Sequence, residues 1–336
     1  MTLHTSVRAD VRILIVKLSS LGDVVHAMAA VQDIRRALPA ARIDWVVERA
    51  FAPLVSRCEG VQRVIPVDLR SWRRRPLAPQ TRIQWRAFKT ELQQTAYDAV
   101  IDLQGLTKSA WIAWLANKAA GGLHFSLGNR TDGSSFEAPA RWLADRAVTL
   151  EKHVHAVQRS RLLCAAALGY TVQGAPDFGL RPGTEVPSHA PDPAARTVLL
   201  VHGTSRADKE WPADHWIALG QRLNAAGYRV ALPQANAHEL RVSESIAASL
   251  SDATVWPPMT LDVLVDSMAA CAGVIGVDSG LSHIAVALGL PHVQLYNFDT
   301  AWRTGVENDR QVSVFATPYA STDSVWSAWL RVTGRS

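Results

Sequence analysis

One pattern occurs twice along this chain, and it narrows the folds open to it. An apolar, β-branched run of strand length leads into a short loop of small polar residues, and a helix-length stretch follows. The first instance is Val11–Lys17 (VRILIVK), the loop Ser19–Asp23, and a helix over Val24–Leu38 closed by Pro39. Runs with no polar alternation suit strands buried on both faces of a parallel sheet. Further strands are predicted at Ile43–Val47, Val61–Val67 and Ala99–Leu103, with helices at Arg82–Ala96 and Lys152–Leu168.

The stretch Arg181–Arg196 (RPGTEVPSHAPDPAAR) carries four prolines and no apolar periodicity, as a linker does. The alternation then restarts. Strands are expected at Thr197–Val201, Tyr228–Leu232, Val274–Val277 and His292–Tyr296. Helices are expected at Ala213–Ala226, Ala237–Leu250, Leu281–Leu288 and Ser324–Val332. The expectation is an α/β chain of two Rossmann-like, doubly wound domains facing a cleft: 1–185, a linker at 186–196, and 197–336. The final helix has the option of packing back on the first domain. Ligands of such sheets bind at the carboxyl ends of the strands.

Composition excludes several classes. No stretch is long and apolar enough to span a bilayer, and Ile13–Val16 is too short for a signal sequence, so a cytoplasmic chain is expected. Three distant cysteines, Cys58, Cys164 and Cys271, form neither a disulfide framework nor a zinc motif. The net charge of +5 points to acidic partners without choosing among them.

Four constellations carry chemistry. In Lys17-Leu18-Ser19-Ser20-Leu21-Gly22-Asp23, small residues precede a helix N-terminus. The glycine spacing of a dinucleotide fingerprint and the GKS/T end of a P-loop are both missing. Position alone leaves Asp23 open between a general base and a helix cap. In His202–Pro212 (HGTSRADKEWP), hydroxyls and a glycine beside Lys209 suit a pyrophosphate, or a solvated loop. In Val277–His283 (VDSGLSH), Ser279 and Gly280 stand where a strand turns into a helix, a place for phosphate; Asp278 would anchor the turn, and His283 falls on the helix's first turn. Finally, Leu69–Thr90 holds seven basic residues and no acid, with Trp72 and Trp85 interleaved. That run reads as a solvated face, a nucleic-acid patch, or a docking surface for lipid phosphates.

Taken with Ile101–Ala110 (IDLQGLTKSA), these motifs in this order and spacing resemble the bacterial lipopolysaccharide heptosyltransferases of glycosyltransferase family 9, and most of all the branch that adds the first inner-core heptose. The resemblance runs from Val11 to Tyr296 and fades beyond. It implies a GT-B fold and inverting transfer of heptose from ADP-L-glycero-β-D-manno-heptose to the Kdo of Kdo2–lipid A, with no metal and no cofactor. It implies a peripheral place on the cytoplasmic face of the inner membrane, and no nucleic-acid partner. Carried over, Asp23 matches the base. Thr204, Ser205 and Lys209 match pyrophosphate contacts, with Lys209 meeting charge on the leaving ADP. Glu239 and Met259 match ribose and adenine contacts. Asp278, Ser279, Gly280 and His283 match the second phosphate loop, and Arg70, Arg73 and Arg74 the acceptor positions. Ser205 and Ser279 stand where the family pattern has threonines, and both keep a hydroxyl.

Two other readings compete. One is a heptosyltransferase acting on an already heptosylated core, against which the first loop argues. The other is a non-catalytic binder of nucleotide sugars or nucleic acid, which has no use for a lone cleft carboxylate.

Overall fold

The computed structural model describes residues 10–184, 191 and 196–334. Two compact units divide the chain, Met1–Leu180 and Arg181–Ser336. Of the expected linker 186–196, all but residues 191 and 196 lie outside the described residues.

The first unit is built on six strands: β1 (Arg12–Val16), β2 (Arg42–Glu48), β3 (Val61–Val67), β4 (Tyr97–Asp102), β5 (Lys118–Leu127) and β6 (Arg146–Val148). Their order in the sheet is β3-β2-β1-β4-β5-β6, and every pairing is parallel. Among the described residues the α-helices beside them are α1 (Leu21–Ala37), α2 (Ala52–Val55), α3 (Leu69–Arg74), α4 (Pro79–Gln93), α5 (Thr107–Leu115), α6 (Pro139–Leu143) and α7 (Ala156–Leu168). The strands bury their β-branched runs: Leu14, Val16, Val46, Ile65, Val67 and Val100 share one core with Trp72, Phe88 and Leu92.

The second unit repeats the plan. Its strands are β7 (Thr197–Val201), β8 (Arg229–Leu232), β9 (Ala253–Val255), β10 (Gly273–Val277), β11 (His292–Tyr296), β12 (Glu307–Asn308) and β13 (Gln311–Phe315). They lie in the order β12-β13-β11-β10-β7-β8-β9, parallel except for the short edge pair β12–β13. The helices are α8 (Ala213–Ala225), α9 (Ala237–Ala247), α10 (Leu261–Ala269), α11 (Gly280–Ala287), α12 (Ala301–Thr304) and α13 (Thr322–Val332). Val325, Trp329 and Val332 of α13 sit in this unit's core beside Tyr228 and Val293. Three apolar residues of the last helix are thus buried in the core of its own unit.

Three readings change. The loop expected over Ser19–Asp23 is shorter, because α1 begins at Leu21 and Asp23 stands in its first turn. β5 escapes a search for alternation because glycines interrupt it: a Cβ on Gly122 would lie 2.4 Å from the Tyr97 carbonyl oxygen, at a shift in register with β4. Residues beyond Tyr296 add β13, which pairs with β11 along five residues.

In both sheets the chain winds outward from a central strand, then returns to that strand's other side. The reversal falls between β1 and β4, and between β7 and β10. Loops leaving the carboxyl ends of neighbouring strands diverge at such a point and leave a crevice.

One buried ion pair ties α1 to α7. Arg161 Nε lies 2.6 Å from Asp33 Oδ2, and Nη2 3.0 Å from Oδ1, with both side chains out of solvent. The guanidinium also donates to the Gln173 and Gly174 carbonyls at 3.0 and 3.2 Å. Removing one partner strands a buried charge. Asp33→Ala should destabilise the first unit by about 3–5 kcal/mol, read as a lower urea midpoint for that unit with the second unit's transition in place.

Candidate active site

At the reversal of the first sheet, β1 delivers Lys17 and the turn into α1. The Trp45 indole donates to the Lys17 carbonyl at 3.1 Å, and the Glu48 N–H to the Leu18 carbonyl at 3.1 Å. From the turn after β4, Gln104 Oε1 accepts the N–H groups of Leu18 and Ser19 at 3.0 and 3.1 Å. Gln104 is itself fixed by Asp102, which is fully buried. Asp102 Oδ1 accepts from the Gln104 and Gly105 N–H groups, and Oδ2 from the Ser109 hydroxyl. The loop is thus clamped by its neighbours on both sides.

Asp23, half-exposed, uses its two oxygens differently. Oδ2 accepts from the Ser20 hydroxyl at 2.9 Å and the Ser20 N–H at 3.3 Å, capping α1. Oδ1 faces two cations: Lys17 Nζ at 3.7 Å and Arg159 Nη2, from α7, at 3.5 Å. Lys17 and Arg159 are almost fully buried. Lys17 also donates to the Leu103 carbonyl, and Arg159 to Thr131 Oγ1. Burial works against charge on Asp23, but Lys17, His26, Arg159 and the Ser20 hydroxyl outweigh it, holding the carboxyl well below the usual carboxylate range. What results is an anion fixed at the mouth of the sheet, able to orient a hydroxyl and take its proton.

The second sheet builds a different arrangement at the same place. Asp278 follows β10, and the helix α11 begins with Ser279 as its N-cap. Asp278 Oδ2 meets Lys209 Nζ at 2.5 Å, while Oδ1 meets His283 Nε2 at 3.3 Å, Gln294 Nε2 at 3.4 Å and Thr304 Oγ1 at 3.5 Å. Burial opposes ionisation of Asp278, but His283 and Lys209 prevail and hold it below the usual range. The Ser279 hydroxyl is shielded from solvent and makes no hydrogen bond among the described residues. It stands at the positive end of α11, where an anion would complete it.

The loop after β7 is held by Asn297, whose amide donates to the Asp208 and Glu210 carbonyls at 3.0 and 2.9 Å. Beside it is a pocket of about 300 Å³ lined by His202, Gly203, Thr204, Trp211, Trp216 and Glu239, among others. A Cβ on Gly203 would lie 2.9 Å from Glu239 Cδ, so a larger residue there would displace the Glu239 side chain. Glu239 Oε2 accepts the Ala235 N–H at 2.8 Å. Among the described residues, no group of three or more His, Cys, Asp or Glu is placed to hold a metal ion.

Comparison with known proteins decides the family. Residues 85–327 match the model of glycosyltransferase family 9 (heptosyltransferase). The lipopolysaccharide heptosyltransferase 1 of Pseudomonas aeruginosa is 36% identical over 302 residues, covering 90% of this chain and 82% of that protein. The chain belongs to glycosyltransferase family 9. The E. coli heptosyltransferase WaaC, solved with ADP, superposes with a TM-score of 0.84 at 33% identity, covering 94% of this chain and 98% of that one. A second WaaC structure, with ADP-2-deoxy-2-fluoro heptose, gives 0.80. Lipopolysaccharide heptosyltransferase 2 of E. coli K12 is 26% identical, over 85% of this chain and 82% of that protein. With its two parallel-sheet units and this likeness, the family 9 chain has the GT-B fold.

The residues expected from sequence fall into four places in this family 9 chain. Asp23 stands at the first sheet's edge. At the second sheet's edge, Lys209, Asp278, Ser279, Gly280 and His283 come together, while Thr204 and Glu239 line the neighbouring pocket. Ser205 is exposed on the same loop. Met259 is half-buried between β9 and α10, and it does not line that pocket. Arg70, Arg73 and Arg74 are exposed on α3. Sequence reading missed Lys17 and Gln104 as participants, although both lie in quoted motifs, and it missed Arg159. Arg159 lies 136 residues from its partner, and no local signal points to it.

Asp102 gives a pH test of the clamp. Burial pushes its carboxyl up to about 6, against the hydrogen bonds of Gln104, Ser109 and Gly105 and the charge of Lys17. Its folded value exceeds the unfolded one, so the folded state retains a proton between about pH 4 and pH 6 and loses stability as pH rises through that window. Asn at this position keeps an acceptor for the two N–H groups without the charge. The stability of Asp102→Asn relative to wild type should therefore rise by up to about 3 kcal/mol between pH 4 and pH 6. Urea unfolding of the first unit at both pH values measures it.

Proposed function

We propose that this chain transfers L-glycero-D-manno-heptose from ADP-L-glycero-β-D-manno-heptose to the Kdo of Kdo2–lipid A, inverting the anomeric centre without a metal. The observation that carries this reading is the caged carboxylate of Asp23 at the carboxyl edge of the first sheet, in a family 9 chain. Higher identity to heptosyltransferase 1 than to heptosyltransferase 2 favours Kdo over a heptosylated core as acceptor.

In this reading the second unit holds the donor. Thr204, Ser205, Lys209, the Ser279 hydroxyl, Gly280 and the N-terminus of α11 take the pyrophosphate, with His283 beside them. Glu239 and the pocket after β7 take the ribose side, and Met259 the base. Asp278 positions Lys209 and His283. As the glycosidic bond to phosphate breaks, negative charge grows on ADP, and these donors meet it in place of a metal.

Asp23 receives the acceptor proton. Lys17 and Arg159 make it a weak base at rest, yet they keep it ionised throughout the working pH range. The acceptor hydroxyl acidifies as its oxygen bonds to the anomeric carbon, so a weak base suffices late in the attack. Arg70, Arg73 and Arg74 on α3 bind carboxylate and phosphate groups of the lipid-borne acceptor, for which the arginine fork is suited.

Asp23→Ala should cut kcat about 10²–10⁴-fold, the usual scale for a lost general base, with ADP-heptose affinity little changed. Turnover near wild type would reduce Asp23 to its capping role. Lys209→Ala should weaken ADP binding in calorimetry as well as slow transfer, since one charge-assisted contact is lost; unchanged ADP affinity would remove it from the donor site. Transfer should persist in excess EDTA, and loss restored by Mg²⁺ would contradict a metal-free site.

A further inference from the structure

The basic run is divided between two helices. Its first part, Arg70 to Arg75, lies on and just after α3. Its second part lies on α4, where Arg82, Arg86 and Lys89 are spaced i, i+4, i+7 and exposed in one stripe, while Phe88 and Leu92 face the core. Glu91, the acid of α4, is half-buried and off the stripe.

Beside that stripe stands α5. Trp85 of α4 stacks flat on Trp111 of α5, with ring centroids 4.9 Å apart and planes 2° from parallel. Trp111 and Trp114, one turn apart, remain 42% and 57% exposed. The short helix α6 packs against α5 and adds Trp142, 69% exposed. These are the exposed tryptophans among the described residues. Leu77, just before α4, and Ile83, one turn from Arg86, are also largely exposed. Large exposed apolar groups gathered in one region of a surface mark an interaction site.

We infer that the face made by α4, α5 and α6 is a docking surface for an anionic lipid bilayer. Arg82, Arg86 and Lys89 meet the headgroups, while Trp111, Trp114 and Trp142 settle at the boundary of headgroup and acyl chain. The inference rests on the lipid-borne acceptor proposed above, and it separates bilayer contact from the acceptor-binding arginines of α3. Tryptophan prefers that boundary, where its ring is shielded and its N–H stays hydrated. Basic side chains near an anionic leaflet add attraction that salt screens. Basic and aromatic groups together also suit single-stranded nucleic acid, but Leu77 and Ile83 offer no ring for a base to stack on. Aliphatic side chains beside a basic stripe match acyl chains beneath acidic headgroups.

The test uses the full chain and flotation with vesicles free of lipid A. One set is phosphatidylethanolamine with phosphatidylglycerol, the other phosphatidylcholine alone. The chain should float with the anionic vesicles and much less with the neutral ones, and brominated acyl chains should quench part of its tryptophan emission. Replacing Arg82, Arg86 and Lys89 together by Gln should weaken binding about 100-fold at low salt. Trp114→Gln should weaken it about tenfold, remove part of the quenching, and leave the salt dependence in place. Trp114 is exposed, so the fold is retained, as circular dichroism checks. Both variants should transfer heptose at the wild-type rate to a Kdo acceptor stripped of its acyl chains. Failure of the wild type to bind anionic vesicles overturns the inference, as does binding unmoved by both variants. Loss of single-stranded RNA binding in the variants, with vesicle binding intact, would assign the face to nucleic acid and overturn it too. Vesicle binding in a wild type that transfers no heptose would support this surface while refuting the proposed reaction.

Discussion

The charge on Asp23 is the interaction on which the account of the first unit depends. A carboxylate at a sheet edge is ordinarily free to take up a proton and to turn. Here one oxygen is tied to Ser20 as the cap of α1, and the other faces Lys17 and Arg159. The two cations come from β1 and α7, and the loop is held by Gln104 after β4 and by Trp45 of β2. Two elements therefore face the anion directly, and two more hold the loop that carries it. Such convergence costs stability where it buries charge, as at Asp102, and it fixes the carboxylate before a substrate arrives, as preorganised catalysis requires.

The second unit solves an opposite problem with related parts. There the buried anion, Asp278, is the organiser, and the cationic and polar groups around it are those suited to phosphate. Lys209 is brought from a loop 69 residues away and held at 2.5 Å. Ser279, one residue on, has no hydroxyl partner among the described residues and stands at a helix N-terminus. One sheet edge fixes a negative charge and the other gathers groups for meeting one, a division of labour suited to base and leaving group.

Much of this was legible in the sequence, for identifiable reasons. Parallel strands buried on both faces are written as apolar runs, so β1, β7, β10 and β11 could be read nearly residue for residue. Loops at the reversal points carry small residues and a helix start, which made Asp23, Ser279 and Lys209 visible. Where glycine breaks the apolar run, as in β5, the strand was missed. Partnerships across the fold leave no local mark: Arg159 has no sequence neighbour hinting at Asp23, and Gln104 reads as one more polar loop residue. The basic run was seen, but its division between α3 and α4 was not, because Trp111 and Trp142 join it only through packing.

The most direct measurement is chemical rescue of the carboxylate proposed to take the acceptor's proton. In Asp23→Gly the side chain is replaced by space beside Lys17 and Arg159, where a small carboxylate fits. Single-turnover transfer by this variant should be slow and should rise with formate concentration toward the wild-type rate, with donor affinity unchanged throughout. A variant that stays slow at every formate concentration while binding ADP-heptose normally would contradict proton acceptance by Asp23, leaving its carboxylate a cap on α1.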